Sequence, residues 1–376
     1  MNFLTLNTLL VSQASPFLPA AAPGTAAAPA VAKQKHYLTG LDALRAVAAL
    51  SVCLYHCTGG MLPKLIVPAA KQAFSLGYLG VDIFFVISGF IIPYSLIGKN
   101  YQISGLFAYL KKRIVRITPP AYVSLLLIIG QWYFIDKLLN HNTQYTSNLT
   151  ISQVISNLLF TVPFTPYAWI STLFWTLAIE FQFYLLIGLL FNRLFNDRLA
   201  WFVGTYALAA AAALLPGTHA IGFLHYSALF ALGGLALLWQ QQRLRLPVYA
   251  GGLLLFGSLA YWQLGLYAAI LGTGTAVAIN ALTFRILVLS ALGKMSYSLY
   301  LMHGLIATTA EFLLVKLVAP TTDARKLALL ATCLLLAIGG SFLFYTFVEK
   351  PFLRLASPPR LPRPEVAASL QHAEKY

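Results

Sequence analysis

From residue 37 onward the chain alternates long apolar runs with short polar segments, and the runs set the architecture. Ten of them lie at 41–58, 78–97, 117–135, 174–191, 199–215, 222–239, 248–264, 266–283, 297–318 and 327–347. Each approaches the roughly 20 apolar residues a helix needs to cross a hydrocarbon layer of about 30 Å. Only Gln263 and Gly265 divide the seventh run from the eighth. No ten-residue stretch alternates apolar and polar positions as a barrel strand does. Backbone polar groups inside lipid must be paired within the segment, so the pattern predicts an all-α, polytopic transmembrane helical bundle of about ten spans.

The flanks read differently. Residues 1–36 form an Ala/Pro-rich leader, uncharged from Ser15 to Ala32 and without helical period, which predicts disorder. No basic segment precedes the apolar stretch Phe3–Val11, as it would in a signal peptide. Residues 37–353 make the transmembrane domain, and 354–376 a cytoplasmic tail.

Composition supports the membrane reading. Hydrophobic residues make up 59% and charged residues 9%, against about 25% charged in soluble domains. The net charge of +15 does not point to nucleic acid, because the basic residues cluster between apolar runs and form no aromatic-interleaved groove. Of the 25 Lys and Arg, only Lys64, Lys71, Lys137, Lys316, Arg325 and Lys326 fall in outer segments when the N-terminus is cytoplasmic. That asymmetry follows the positive-inside rule and places both termini in the cytoplasm. Cys53, Cys57 and Cys333 lie inside apolar runs and read as small buried hydrophobes.

Ionisable residues inside a bilayer are functional candidates. Here they are Arg45, His56, Asp82, Glu180 and His303, with Glu349 at the inner end of the last span. Arg45 and His56 are eleven residues apart, about three helical turns and about 16 Å along the axis, so they share a face. Asp82 enters the second span from the outer side and Glu180 the fourth, about 9 Å deep. His56, Asp82 and Glu180 are therefore expected at one depth on the outer side. His303 is expected nearer the inner side, and Glu349 is expected to pair with Arg113 or Arg116. Simpler roles compete: Arg45 snorkelling to headgroups, His56 as a satisfied interfacial histidine, and the Lys111–Arg116 cluster as ordinary cytoplasmic charge.

In this order the residues resemble a known family. Tyr37–His56, with its Arg, ten residues, then His, is similar to the opening motif of the acyltransferase family 3 membrane proteins. Gly80–Phe90, Arg113-Ile114-Val115-Arg116, Trp175–Tyr184, Ser296–His303 and Phe347–Phe352 resemble its later motifs, in family order over residues 37–353. Two positions depart from it: Phe181 stands where the family usually has a second acidic residue, and Met302 where it often has Trp.

The resemblance implies a bacterial inner-membrane enzyme that moves an acyl group from cytoplasmic acyl-CoA, commonly acetyl-CoA, to a hydroxyl of an extracytoplasmic glycan or lipid-linked sugar, without a metal. His56 then acts as base or relay, since imidazole titrates near the operating pH. Asp82 or Glu180 orients it, and Arg45, Arg113 and Arg116 meet the CoA phosphates. A proton-coupled transporter or flippase is the rival reading, because buried ionisable residues also build proton relays; no pair of similar halves supports it.

Overall fold

A computed structural model describes residues 27–138, 145–196, 198–282 and 286–356, with side chains from residue 40. Residues 1–26 of the leader and 357–376 of the tail lie outside the described residues, while residues 27–36 belong to the first helix. Among the described residues the chain is helical throughout, without a strand. In chain order the helices are α1 (Ala27–His56), α2 (Pro68–Ala73), α3 (Gly80–Tyr94), α4 (Leu106–Tyr133), α5 (Ile151–Leu158), α6 (Phe174–Phe195) and α7 (Leu199–Ala212). They continue as α8 (Gly222–Gln240), α9 (Leu246–Leu264), α10 (Leu266–Ala281), α11 (Leu287–Lys294), α12 (Ser296–Leu317), α13 (Asp323–Phe344) and α14 (Lys350–Ala356).

Each of the ten apolar runs falls on a helix. Seven helical segments are long and apolar enough to cross a membrane: Gly40–Met61, Pro68–Tyr94, Ile103–Lys137, Phe174–Phe195, Gly222–Gln240, Ser296–Leu317 and Asp323–Ala356. The other three runs fall short for visible reasons. Helices α7 and α10 are apolar but have 14 and 16 residues. Helix α9 has 19 residues, but glycines, Pro247, Trp262 and Gln263 dilute its hydropathy.

The third run extends further than its hydropathy suggests, because α4 begins at Leu106. The basic segment is therefore the start of a helix rather than a loop. Residues three apart share a helical face, so Arg113 and Arg116 turn inward while Lys111 and Lys112 are exposed. Pro119 and Pro120 then remove two backbone donors from the ladder of α4, so the Val115 and Arg116 carbonyls lose their usual partners.

Two devices bring the site together. Helices α3 and α8 cross through glycine: a Cβ on Gly89 would lie 2.2 Å from the Phe230 carbonyl oxygen, and one on Gly233 2.0 Å from that of Val86. Only a bare backbone permits that approach. Between α13 and α14 the chain makes a π turn, Tyr345–Glu349. Such turns re-aim side chains within a helix, and this one leaves Glu349 only 2% exposed.

Candidate functional site

The predicted site residues divide between two cavities. The first, of about 340 Å³, is lined by Arg45 from α1, Ser88 from α3, Arg113 and Arg116 from α4, Glu180 and Tyr184 from α6, Tyr297 and Tyr300 from α12, and Glu349. Asp42 also reaches it, so three guanidinium groups meet three carboxyl groups. Their satisfaction is uneven. Arg113 is buried, donates to the Ser95 hydroxyl, and lies 5.7 Å and 5.6 Å from the Tyr109 and Tyr184 ring centroids. Cation–π contacts of this kind hold a guanidinium out of water. Glu180 accepts from Ser88 Oγ at 3.2 Å. Glu349 accepts from the Ser298 backbone N–H at 3.1 Å and its hydroxyl at 2.5 Å.

The expected pairing of Glu349 with Arg113 or Arg116 is not seen: no ion pair within 4.0 Å joins them. The π turn aims the carboxylate at the start of α12 instead, where the Ser298 N–H has no partner of its own within the helix. Arg45 and Arg116 line the same cavity, and among the described residues neither guanidinium has a hydrogen bond or an ion pair.

The second cavity, of about 380 Å³, is lined by His56, Asp82, Tyr55, Tyr78, Trp175, Tyr226 and Tyr300, among others. His56 sits on the last α-helical residue of α1, just before a π turn, Cys57–Met61. Its ring stacks on His303 with centroids 5.5 Å apart and planes at 30°, and meets Tyr55 edge-on at 5.2 Å. Asp82 is 6% exposed in the first turn of α3. It shares the cavity with His56, but no hydrogen bond joins the two. His303 is fully buried, with Nδ1 2.9 Å from the Leu299 carbonyl oxygen. A carbonyl only accepts, so in the neutral ring Nδ1 carries the proton and Nε2 keeps its lone pair. That Nε2 is buried without a partner.

Two expectations are thereby corrected. Glu180 lies with the arginines, not with His56 and Asp82. Helical rise gives depth but no azimuth, and Glu180 points toward Ser88 and the α4 cations. His303 does not stand apart on the inner side; it backs His56 directly. Depth counted from the end of each helix cannot register two helices that start at different levels.

The two cavities share only Val81 and Tyr300 in their linings. The Tyr300 hydroxyl is fixed by the Leu173 carbonyl at 3.1 Å and Thr176 Oγ1 at 2.8 Å, so the partition is braced.

Sequence reasoning passed over three buried or cavity-lining residues. Glu311 is 6% exposed within α12 and accepts from the Lys64 backbone N–H at 2.7 Å, which clamps the segment after His56. Its signal was an acidic residue inside an apolar run, the same signal as for the others. His219 and His225 lie outside the centres of the apolar runs and share no expected depth with His56. They line a third cavity, of about 390 Å³, which shares Trp175, Tyr226 and Leu264 with the His56 cavity. His141 lies outside the described residues, as does the side chain of His36.

Comparison with known proteins identifies the family. The profile of a family described as an acyltransferase domain matches residues 38–346. A protein of Staphylococcus aureus (strain COL), named an O-acetyltransferase by inference, is 33% identical over 165 residues, 41% of this chain and 24% of the relative. The O-acetyltransferase OatA of Staphylococcus aureus (strain NCTC 8325 / PS 47) is 32% identical over 187 residues, 43% of this chain and 26% of the relative. The matched part thus spans about a quarter of the length of these relatives. No solved structure matches the chain.

Proposed function

Because this chain belongs to the acyltransferase-domain family, we propose that it is a multi-pass membrane O-acyltransferase moving an acyl group, acetyl first among them, from acyl-CoA to a hydroxyl of a glycan or lipid-linked sugar. The observation that carries the reading is the pair of unbonded guanidinium groups, Arg45 and Arg116, in a cavity whose lining shares Val81 and Tyr300 with the His56 cavity.

A phosphate-bearing donor supplies what those guanidiniums lack, since Arg forks bind phosphate oxygens with two parallel hydrogen bonds. The CoA phosphates rest at Arg45 and Arg116, with Lys111 and Lys112 on the exposed face of α4 drawing them in. The pantetheine arm extends past Val81 and Tyr300 and delivers the thioester carbonyl to His56. The acceptor hydroxyl gives its proton to the His56 imidazole as its oxygen attacks the thioester carbon. The C–S bond then breaks, the ester stays on the acceptor, and the CoA thiolate takes up a proton. Asp82, in the same cavity, stabilises the imidazolium formed during transfer. His303 holds the plane of the His56 ring by stacking. Ten spans, with both termini and the arginine cavity on the cytoplasmic side of a bacterial inner membrane, accord with the distribution of Lys and Arg.

The test uses purified full-length protein in sealed lipid vesicles with acetyl-CoA labelled in the acetyl group. The expected result is release of free CoA, with label appearing on acceptor or water, and its loss in His56→Ala. Label crossing a sealed vesicle membrane without CoA release would establish transport and end the enzyme reading.

A further inference from the structure

The third cavity differs from the other two in its chemistry. Its lining combines two imidazoles, His219 and His225, two amides, Gln182 and Gln263, and the aromatic pair Trp175 and Tyr226. Among the described residues, no Lys, Arg, Asp or Glu lines it. The imidazoles stack with centroids 5.5 Å apart and planes at 7°. His225 Nε2 is buried and has no hydrogen-bond partner.

The amides hold this wall in place. Gln182 donates to the Ala220 carbonyl at 3.2 Å and accepts from the Phe223 N–H at 2.9 Å. Gln263 donates to the Leu224 carbonyl at 2.9 Å and lies 3.3 Å from Ser227 Oγ. The segment bearing both histidines is thus fixed from two other helices, α6 and α9, so the cavity is pre-formed. Trp175 and Tyr226, with ring centroids 5.6 Å apart, also face the His56 cavity.

We infer that this third cavity binds the uncharged pyranose ring of the acceptor, presenting a hydroxyl to His56 across the Trp175–Tyr226 wall. The inference rests on the proposed acyl transfer for the word acceptor; the binding site itself does not. Three properties point to a neutral sugar. A pyranose has an apolar C–H face that suits an aromatic wall, and hydroxyls that suit imidazole and amide groups. The unpartnered His225 Nε2 offers a hydrogen bond that nothing in the protein takes. With no Lys or Arg among the described lining residues, a carboxylate- or phosphate-bearing ring meets no permanently charged cation, and burying such a charge unpaired is costly. The volume of about 390 Å³ also falls within the roughly 300–1,000 Å³ of small-molecule sites.

The experiment is saturation-transfer NMR on the unmodified full chain in nanodiscs. The probes are the methyl β-glycosides of glucose, galactose and N-acetylglucosamine, with methyl β-glucuronide as the charged counterpart. Ring-proton transfer to at least one neutral glycoside, weakened at least fivefold in His225→Leu and absent for the glucuronide, is the expected result. A second reporter, Ala220→Cys, is labelled with a maleimide; the native cysteines are at most 1% exposed and stay silent. The same glycosides slow its labelling. No transfer from any neutral glycoside, equal transfer to the glucuronide, or labelling indifferent to sugar overturns the inference. None of these readouts needs acetyl-CoA. Failure to cleave acetyl-CoA therefore sinks the proposed reaction and leaves this site standing, and the reverse also holds.

Discussion

The arginine cavity and the His56 cavity lie back to back, but they handle polarity in opposite ways. In the first, charge is dense and mostly tied down: Arg113 by Ser95 and two tyrosine rings, Glu180 by Ser88, Glu349 by Ser298. What remains is a pair of guanidiniums facing the space. In the second, the walls are aromatic, and His56 and Asp82 stand without hydrogen bonds among the described residues. Under the proposed function the first holds an anion, because the Glu180 and Glu349 carboxylates are tied down while two guanidiniums are not, and the second moves a proton, because an imidazole free of fixed partners can take one and release it.

The contrast is open to attack, beginning with the largest effect. On the proposed mechanism His56→Ala removes the base, and acetyl transfer falls by about 10²–10⁴-fold; the dissociation constant for acetyl-CoA, measured by equilibrium binding, stays within threefold. Next, Val81→Trp fills the partition, so acetyl-CoA still binds but transfer drops by about 10²-fold, the scale on which misplacing a reacting group acts. If Val81→Trp abolished binding as strongly as transfer, the two cavities would be one site. Arg116→Ala and Arg45→Ala each raise the KM for acetyl-CoA by about tenfold, as expected for one charge-assisted hydrogen bond of about 1.5–3 kcal/mol. That KM also rises more steeply with salt in the wild type than in the double variant, because only the wild type has those charges to screen. Glu311→Ala, outside both cavities, costs about 1–3 kcal/mol of stability by orphaning the Lys64 N–H. It lowers the melting temperature while turnover per folded molecule stays within threefold.

Much of the scaffold was legible in the sequence, because transfer into lipid depends on composition over a span, and composition is what hydropathy reads. All ten apolar runs fall on helices, though only seven helical segments have the length and hydropathy to cross by themselves. The cluster of buried ionisable residues was legible for the same reason. Its partition was not. The side of α6 that Glu180 faces depends on how α6 packs against α3 and α4, which no single-helix pattern encodes. The π turn that re-aims Glu349 changes the register by one residue, invisibly to a 3.6-residue period. His219 and His225 looked unrelated because the contact that matters joins the start of α8, through Trp175 and Tyr226, to the end of α1.

The partition of Val81 and Tyr300 has an electrical consequence. A membrane holding 100 mV stores about 2.3 kcal/mol for each elementary charge that crosses. In the proposed cross-membrane arrangement, cavities of about 340 and 380 Å³ that share Val81 and Tyr300 in their linings concentrate that voltage across those two side chains. On the proposed route the side chains that admit a thioester must also keep protons from leaking, and the Tyr300 hydroxyl, held by Leu173 and Thr176, is not free to pass them along. Val81→Gly would thin the dielectric at its narrowest point, and a cell expressing it would show a proton conductance that the wild-type chain blocks.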